Sequence, residues 1–448
     1  MGRIHGCVLV SVVGLGFIGA PRISLAVPSF ASQTGLPCAQ CHTLAFGPAL
    51  TAYGRQFKLN GYTFSGGAHP LPVAGMVQAS FSRTSAAQPE PPASHFSTND
   101  NLDVDQASVF VATRLSDHIG MFMQATYSGA DRHFSWDNTD IRYARPLTLF
   151  GTDAVVGISL NNSPTVQDLW NSTPAWGYPY ITSPLLPIAN ASPLINGALA
   201  QLVVGATGYA MIHDHVYLEA GAYRGLSNRW LDNVGLYPDD SAHVNGAAPY
   251  WRAAYQLTSG ANYFSFGTFG LDVKEQPDAT IAASNRYTDA ALDVTYQYTP
   301  EGPAAIITNS SLTHERQQLD ASFSSGDSAR PANHLDAFET DVSFVWRQTW
   351  SAAIGLFDVS GARDSVLYAP APLTGSLTGS PDTRGYTVQL ECVPFGKANS
   401  WGRPFVNVRV GVQYTAYQRF NGGSANYDGS GRSASQNDSL YLFVWLAF

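Results

Sequence analysis

From Val73 to the last residue the sequence runs with a period of two, and that pattern leaves few folds open. Apolar and polar residues alternate through sixteen segments, at about 73–84, 103–115, 119–128, 139–148, 152–160, 200–212, 216–224, 249–257, 261–272, 287–298, 303–316, 334–347, 350–358, 383–393, 403–417 and 437–448. The connections alternate as well. Short turns such as Ser116-Asp117-His118, His213-Asp214-His215 and Thr258-Ser259-Gly260 take turns with long stretches at 85–102, 161–199, 225–248, 359–382 and 418–436. An even number of antiparallel strands, joined shortly at one end and at length at the other, describes a membrane-crossing β-barrel with its short turns in the periplasm. A soluble sandwich would match any one segment, but not sixteen in phase with their loops.

The alternation assigns faces. In 403–417, Val406, Val408, Val410, Val412 and Tyr414 are predicted to meet lipid, and Asn407, Arg409, Gln413 and Thr415 the lumen. In 287–298, Ala290, Leu292, Val294, Tyr296 and Tyr298 oppose Asp289, Asp293, Thr295 and Gln297. The chain ends on an aromatic strand in which Leu440, Leu442, Val444, Leu446 and Phe448 share one side. Only 13% of residues are charged, which suits a wide apolar exterior, and a net charge of −9 argues against nucleic acid as a partner.

Residues 1–26 read as a secretory leader: Arg3 and His5, an apolar run from Cys7 to Ala20, and a small-x-small site at Ser24-Leu25-Ala26. That run is too short to span a bilayer as a helix, and no later one reaches the required length of about 20 residues. The mature chain is expected to begin at Val27 as a small cofactor-binding segment, 27–72, ahead of the barrel at 73–448.

Within that segment lies Cys38-Ala39-Gln40-Cys41-His42, the C-x-x-C-H attachment pattern of a c-type haem. Two thiols at this spacing can form thioethers to one haem, and His42 then becomes an axial ligand of its iron. A redox dithiol is the competing reading, and zinc would want four ligands where no second Cys/His pair lies nearby. Cys7 leaves with the leader and Cys392 is alone, so no structural disulfide is expected. Pro48 to Lys58 is predicted as a helix entered at Pro48 and ended by Asn60-Gly61, with Leu50, Tyr53 and Phe57 on one apolar face. His69 and Met76 are candidates for the sixth iron position, with His95, Met121 and Met123 also open. A methionine there would raise the potential relative to histidine.

Three further features stand out. The loop 161–199 is far longer than an ordinary connection and carries Trp170, Trp176, Tyr178 and Tyr180. It is expected to fold into the lumen or cap the mouth and to pack on the haem segment. Asp103, Asp105, Glu339 and Asp341 form either a cation-attracting rim near the loop mouths or an ordinary polar lining. His213-Asp214-His215 reads as a polar turn rather than a metal site.

Two stretches together, VPSFASQTGLPCAQCHTLAFGPALTAYGRQFKLNGY at 27–62 and NNSPTVQDLWNSTPAWGYPY at 161–180, resemble the fused outer-membrane monohaem c-type cytochrome–porin family of iron-oxidising bacteria. The resemblance implies a single haem c on Cys38, Cys41 and His42. It also implies oxidation of extracellular Fe(II) and delivery of the electron to a periplasmic cytochrome or copper protein. The expected fold is all-β: a 16-stranded antiparallel transmembrane β-barrel in outer-membrane lipid, its lumen plugged by a small, mostly helical N-terminal c-type haem segment. A diffusion porin with a structural or sensory haem appendage and a haem peroxidase-like enzyme are the alternatives.

Overall fold

The computed structural model describes residues 28–68, 70–149, 151–236, 243–277 and 283–448. The leader with its cleavage site and Cys7, and the candidate ligand His69, lie outside the described residues.

Sixteen strands form one closed sheet: β1 (Val73–Thr84), β2 (Asn101–Arg114), β3 (Ile119–Ser128), β4 (His133–Leu149), β5 (Thr152–Asn161), β6 (Val203–Ile212), β7 (Val216–Gly225), β8 (Ala247–Ser259), β9 (Asn262–Gln276), β10 (Asn285–Tyr298), β11 (Ala304–Gln318), β12 (Ala332–Trp346), β13 (Trp350–Gly361), β14 (Thr383–Cys392), β15 (Asn407–Arg419) and β16 (Ser439–Ala447). Each pairs antiparallel with its chain neighbours, and β1 pairs with β16 to close the cylinder. The seam is extended by Phe448, whose N–H donates to Gly75 O at 2.9 Å and whose carbonyl accepts from Gly75 N at 2.6 Å. A two-residue strand, His243–Val244, leans on the outer end of β9.

All sixteen predicted strands are present, with shifted ends. The pattern at 200–212 begins pairing at Val203 and that at 403–417 at Asn407. Two connections break the long/short alternation: 129–132 is short where a long one is due, and 393–406 is long at the short-turn end. β4 starts at His133, not near 139, because a bulge between Met123 and Ala125 lets the strand resume its pairing with β3 beyond it.

The faces fall as the alternation requires. Leu292, Val294, Tyr296, Val410, Tyr414, Leu442 and Val444 are exposed on the outside. Asp289, Asp293, Thr295, Gln297, Arg409 and Gln413 are buried in the bore. Cys392 lies on the outward side of β14, in step with exposed Leu390. Tyr298, Trp346 and Trp350 mark the short-turn rim, where an aromatic girdle belongs. No helix among the described residues is long and apolar enough to cross a membrane. Closure leaves no unpaired sheet edge, so the strands satisfy their backbone groups within lipid. The chain is a closed antiparallel β-barrel of the bacterial outer membrane.

A sixteen-stranded cylinder has room for an aqueous channel. Here two pieces of the chain occupy it. Residues 28–68 enter from the short-turn end, and the loop 162–202 folds inward from the opposite end. Leu44, Phe46 and Phe57 pack into one core with the wall residues Met76, Phe110, Phe122 and Trp445.

Candidate cofactor site inside the bore

Three short helices build the inner segment: α1 (Pro28–Thr34), α2 (Cys38–Cys41) and α3 (Ala52–Leu59). α3 begins four residues later than Pro48 suggested. Thr51 is its N-cap, its Oγ1 accepting from Gly54 N at 3.2 Å, and the cap residue also reaches back to α2. Thr51 Oγ1 donates to Gln40 O at 2.6 Å and Thr51 N to Cys41 O at 2.9 Å. Residues 48–50 thereby stay outside the helix, with His42 bridged to Leu50. Asn60 ends the helix, and Gly61 follows with a φ of +68°, as the sequence implied.

Gly54 makes the crossing of α2 and α3 close. A Cβ there would lie 2.3 Å from the Cys41 carbonyl oxygen, nearer than any side chain tolerates. Gly54→Val is expected to push the helices apart and to cost about 1–3 kcal/mol, as overpacking does. Faster amide exchange in residues 28–62 against an unchanged barrel would report it.

The wall holds the segment at the short-turn end. Gln348, in the turn between β12 and β13, donates from Nε2 to Ala39 O at 3.0 Å and to His42 O at 3.3 Å. Ala39 N donates to Gly396 O, and Asn407 Nδ2 to Ala45 O at 2.7 Å. Further in, Arg55 donates to Gln297 Oε1 at 2.9 Å, and Tyr62 OH donates to Asp140 Oδ2 at 2.6 Å. Arg142 and Tyr209 donate to the carbonyls of Lys58 and Leu59 that close α3.

The inward loop meets this segment directly. Lys58 Nζ donates to Val166 O at 2.9 Å and Asn171 Oδ1 at 2.8 Å, and lies 4.4 Å from the Trp176 ring centroid. Asn171 Nδ2 donates in return to Pro48 O at 2.8 Å. The loop is fixed to the wall by Arg252, which bridges Asp168 of the loop, at 3.1 Å, and Asp293 of β10, at 2.9 Å.

Between these pieces lies a partly open cavity of about 850 Å³. Cys38, Cys41 and His42 form one side. Phe30, Leu50, Phe57, Tyr62, Phe122 and Trp176 supply most of the rest, and Lys58 is its one lysine. Burial lowers the His42 imidazole to about 4, so it is neutral and able to ligate a metal near pH 7. Its Nδ1 is buried without a hydrogen-bond partner. Burial raises the Cys41 thiol to about 12, and Cys38 moves the same way. A redox dithiol needs the opposite shift, whereas a thioether carries no charge. Burial also depresses Lys58 to about 7, so a negatively charged guest beside it would restore its charge.

The structure thus brings Cys38, Cys41 and His42 to one cavity, with Leu50 and Phe57 of the predicted apolar face; Tyr53 instead packs edge-on against Phe64. Met76 turns into the bore but sits in the wall core, its sulfur 3.7 Å from Gln78 Nε2, and is not among the lining residues. The acidic residues form no rim. Asp105 accepts from Tyr441 OH on one side of the bore, while Glu339 and Asp341 lie at mid-height on another. His213-Asp214-His215 is a turn, and Asp214 accepts from Gln56 Nε2 of α3. Sequence reasoning missed Lys58 and Asn171, because nothing in a linear pattern marks a lysine on a short helix as buried.

No family model matches the chain, and no curated protein does. Among solved structures, in-vitro folded OmpT, an outer membrane protein of Vibrio cholerae, superposes with a TM-score of 0.42 at 12% identity, over 84% of this chain and 96% of that one. An anion-selective porin from Comamonas acidovorans gives 0.46 at 9% identity, over 84% and 98%. OmpF of Salmonella typhi, in complex with daunomycin, gives 0.46 at 11% identity, over 84% and 97%. Likenesses this distant say nothing of what this barrel does.

Proposed function

We propose that the chain is an outer-membrane electron conduit of the fused cytochrome–porin kind, taking electrons from extracellular Fe(II) at one covalently bound haem c and handing them to a periplasmic cytochrome or copper protein. The observation that carries the reading is a C-x-x-C-H motif lining a mostly apolar cavity within a membrane barrel. Bound there, haem would supply a one-electron couple. Cys38 and Cys41 would anchor it, His42 would ligate its iron, and Lys58 would offset its carboxylates. His69 remains a proposed source of a second iron ligand, whereas Met76 sits in the wall core outside the cavity lining. Phe30, Leu50, Phe57 and Trp176 would keep water from the ring, and burial of this kind sets the potential. α2 lies against the short-turn rim, which supports a hand-over of the electron on the periplasmic side.

A diffusion porin with a haem appendage is the second reading. Strand number favours it, since sixteen strands can enclose water, and the two inserted segments oppose it. Purified protein should show a c-type haemochrome spectrum, and excess Fe(II) should reduce the haem. Haem that stays oxidised in Fe(II) across acid and neutral pH, together with steady ionic currents in planar bilayers, would select the porin.

A further inference from the structure

We propose that a second pocket, built around Glu339 and Asp341, is a divalent-cation site and the seat of the electron donor. The inference rests on the redox reading above for the identity of the cation, though not for the site itself.

Glu339 and Asp341 are two residues apart on β12 and so share its inward face. Across the ladder, Ser311 stands opposite Glu339 and Asn309 opposite Asp341. The inward loop supplies the other wall with Ser172, Trp176, Gly177 and Tyr178 of a partly open pocket of about 430 Å³. Gly355 keeps this side open to the loop, since a Cβ there would come 2.5 Å from the Tyr178 ring.

Asp341 is the informative residue. It is only 5% exposed, its Oδ1 accepts a long 3.4 Å hydrogen bond from Asn309, and its Oδ2 has no hydrogen-bond partner. A buried carboxylate oxygen left unsatisfied is costly, and a bound cation is one way to satisfy it. The donor set is carboxylate, amide and hydroxyl oxygen. Such ligands suit hard divalent ions that keep several waters, with Fe(II) and Mn(II) among them. Two carboxylates hold an ion loosely enough for it to leave, as a substrate must.

The position fits a donor. Asn309, Asp341 and Gly355 each lie five residues from the short-turn ends of β11, β12 and β13. Given the strand rise and tilt, this places the pocket about 13 Å above the rim where α2 is held. Asn171 and Trp176 line both this pocket and the Cys38–Cys41–His42 cavity, so a single layer of side chains separates them. Across that layer an Fe(II) held by Glu339 and Asp341 would give up one electron to become Fe(III), and a haem anchored at Cys38, Cys41 and His42 would take it up. No bond is made or broken and no proton is moved.

The test uses full-length protein in detergent and the isosteric double variant Glu339→Gln/Asp341→Asn. Mn(II), followed by its paramagnetic resonance, reports binding without redox chemistry. The wild type should bind one Mn(II), and the variant should bind it at least about tenfold more weakly. Fe(II)-driven haem reduction should slow by a similar factor, with the effect in the Fe(II) concentration needed. Reduction by dithionite, the haem spectrum and the heat-modifiable gel mobility of the barrel should not change. Equal Mn(II) binding and equal Fe(II) rates in both proteins would overturn the site while leaving the electron-conduit reading intact. Weakened Mn(II) binding in a protein whose haem Fe(II) never reduces would support the cation site and overturn the conduit reading instead.

Discussion

Replacing Cys38 and Cys41 together by alanine is expected to give a folded barrel with no covalent haem and with Fe(II)-driven reduction lost to background, a fall of roughly a hundredfold or more. The barrel should survive because its strands pair only with their neighbours, and α2 contributes no strand to the sheet. The inner segment should not escape unharmed. Its helices are short and surround a cavity of about 850 Å³, and segments of this size depend on a cofactor or a host for stability. Haem staining after a denaturing gel reads the first effect. Protease sensitivity between residues 28 and 68 reads the second. Persistence of covalent haem in the double variant would remove the attachment site from consideration.

Arg252→Leu is expected to release the inward loop and let the barrel conduct ions. Arg252 is buried between two buried carboxylates, donating to Asp293 at 3.2 and 2.9 Å and pairing with Asp168 at 3.1 Å. Removing the cation leaves both anions uncompensated, and breaking a buried pair in this way costs about 3–5 kcal/mol. Asp168 also accepts from the backbone of Ser172 and Thr173, so the strain falls on the turn that presents Asn171 and Trp176. Planar-bilayer recordings should show open-channel currents that the parent lacks. The exposed pair Arg384–Asp358 is the control. Its loss should cost less than about 1 kcal/mol and change no current. Silent bilayers with Arg252→Leu would mean that the loop is held by its apolar contacts instead.

What the sequence made legible follows from period. Strands that face lipid on one side and a polar bore on the other must alternate, so Val410 and Arg409, or Leu292 and Asp293, declare their sides without any structure. The attachment motif is legible for a similar reason, since its residues are consecutive. Long-range pairing is not. Asp341 is one polar inward residue among many until Tyr178 of a distant loop encloses it. Lys58 looks like a solvated residue of a short helix until Asn171 meets it. The start of α3 was misplaced because Pro48 satisfies the rule for a first helical turn, while Thr51, three residues on, satisfies a stronger one through its hydrogen bonds to Gln40 and Gly54.

The hydrogen bonds between Gly75 and Phe448 also bear on assembly. The strand that completes the cylinder is the same one that trails directly behind the inner segment, tied to it at Leu71 by the hydroxyl of Ser32. The cargo therefore arrives on the door that shuts behind it. A prosthetic group fixed to Cys38 and Cys41 in the periplasm would be carried in as the first and last strands zip together, and its loading would then precede membrane insertion.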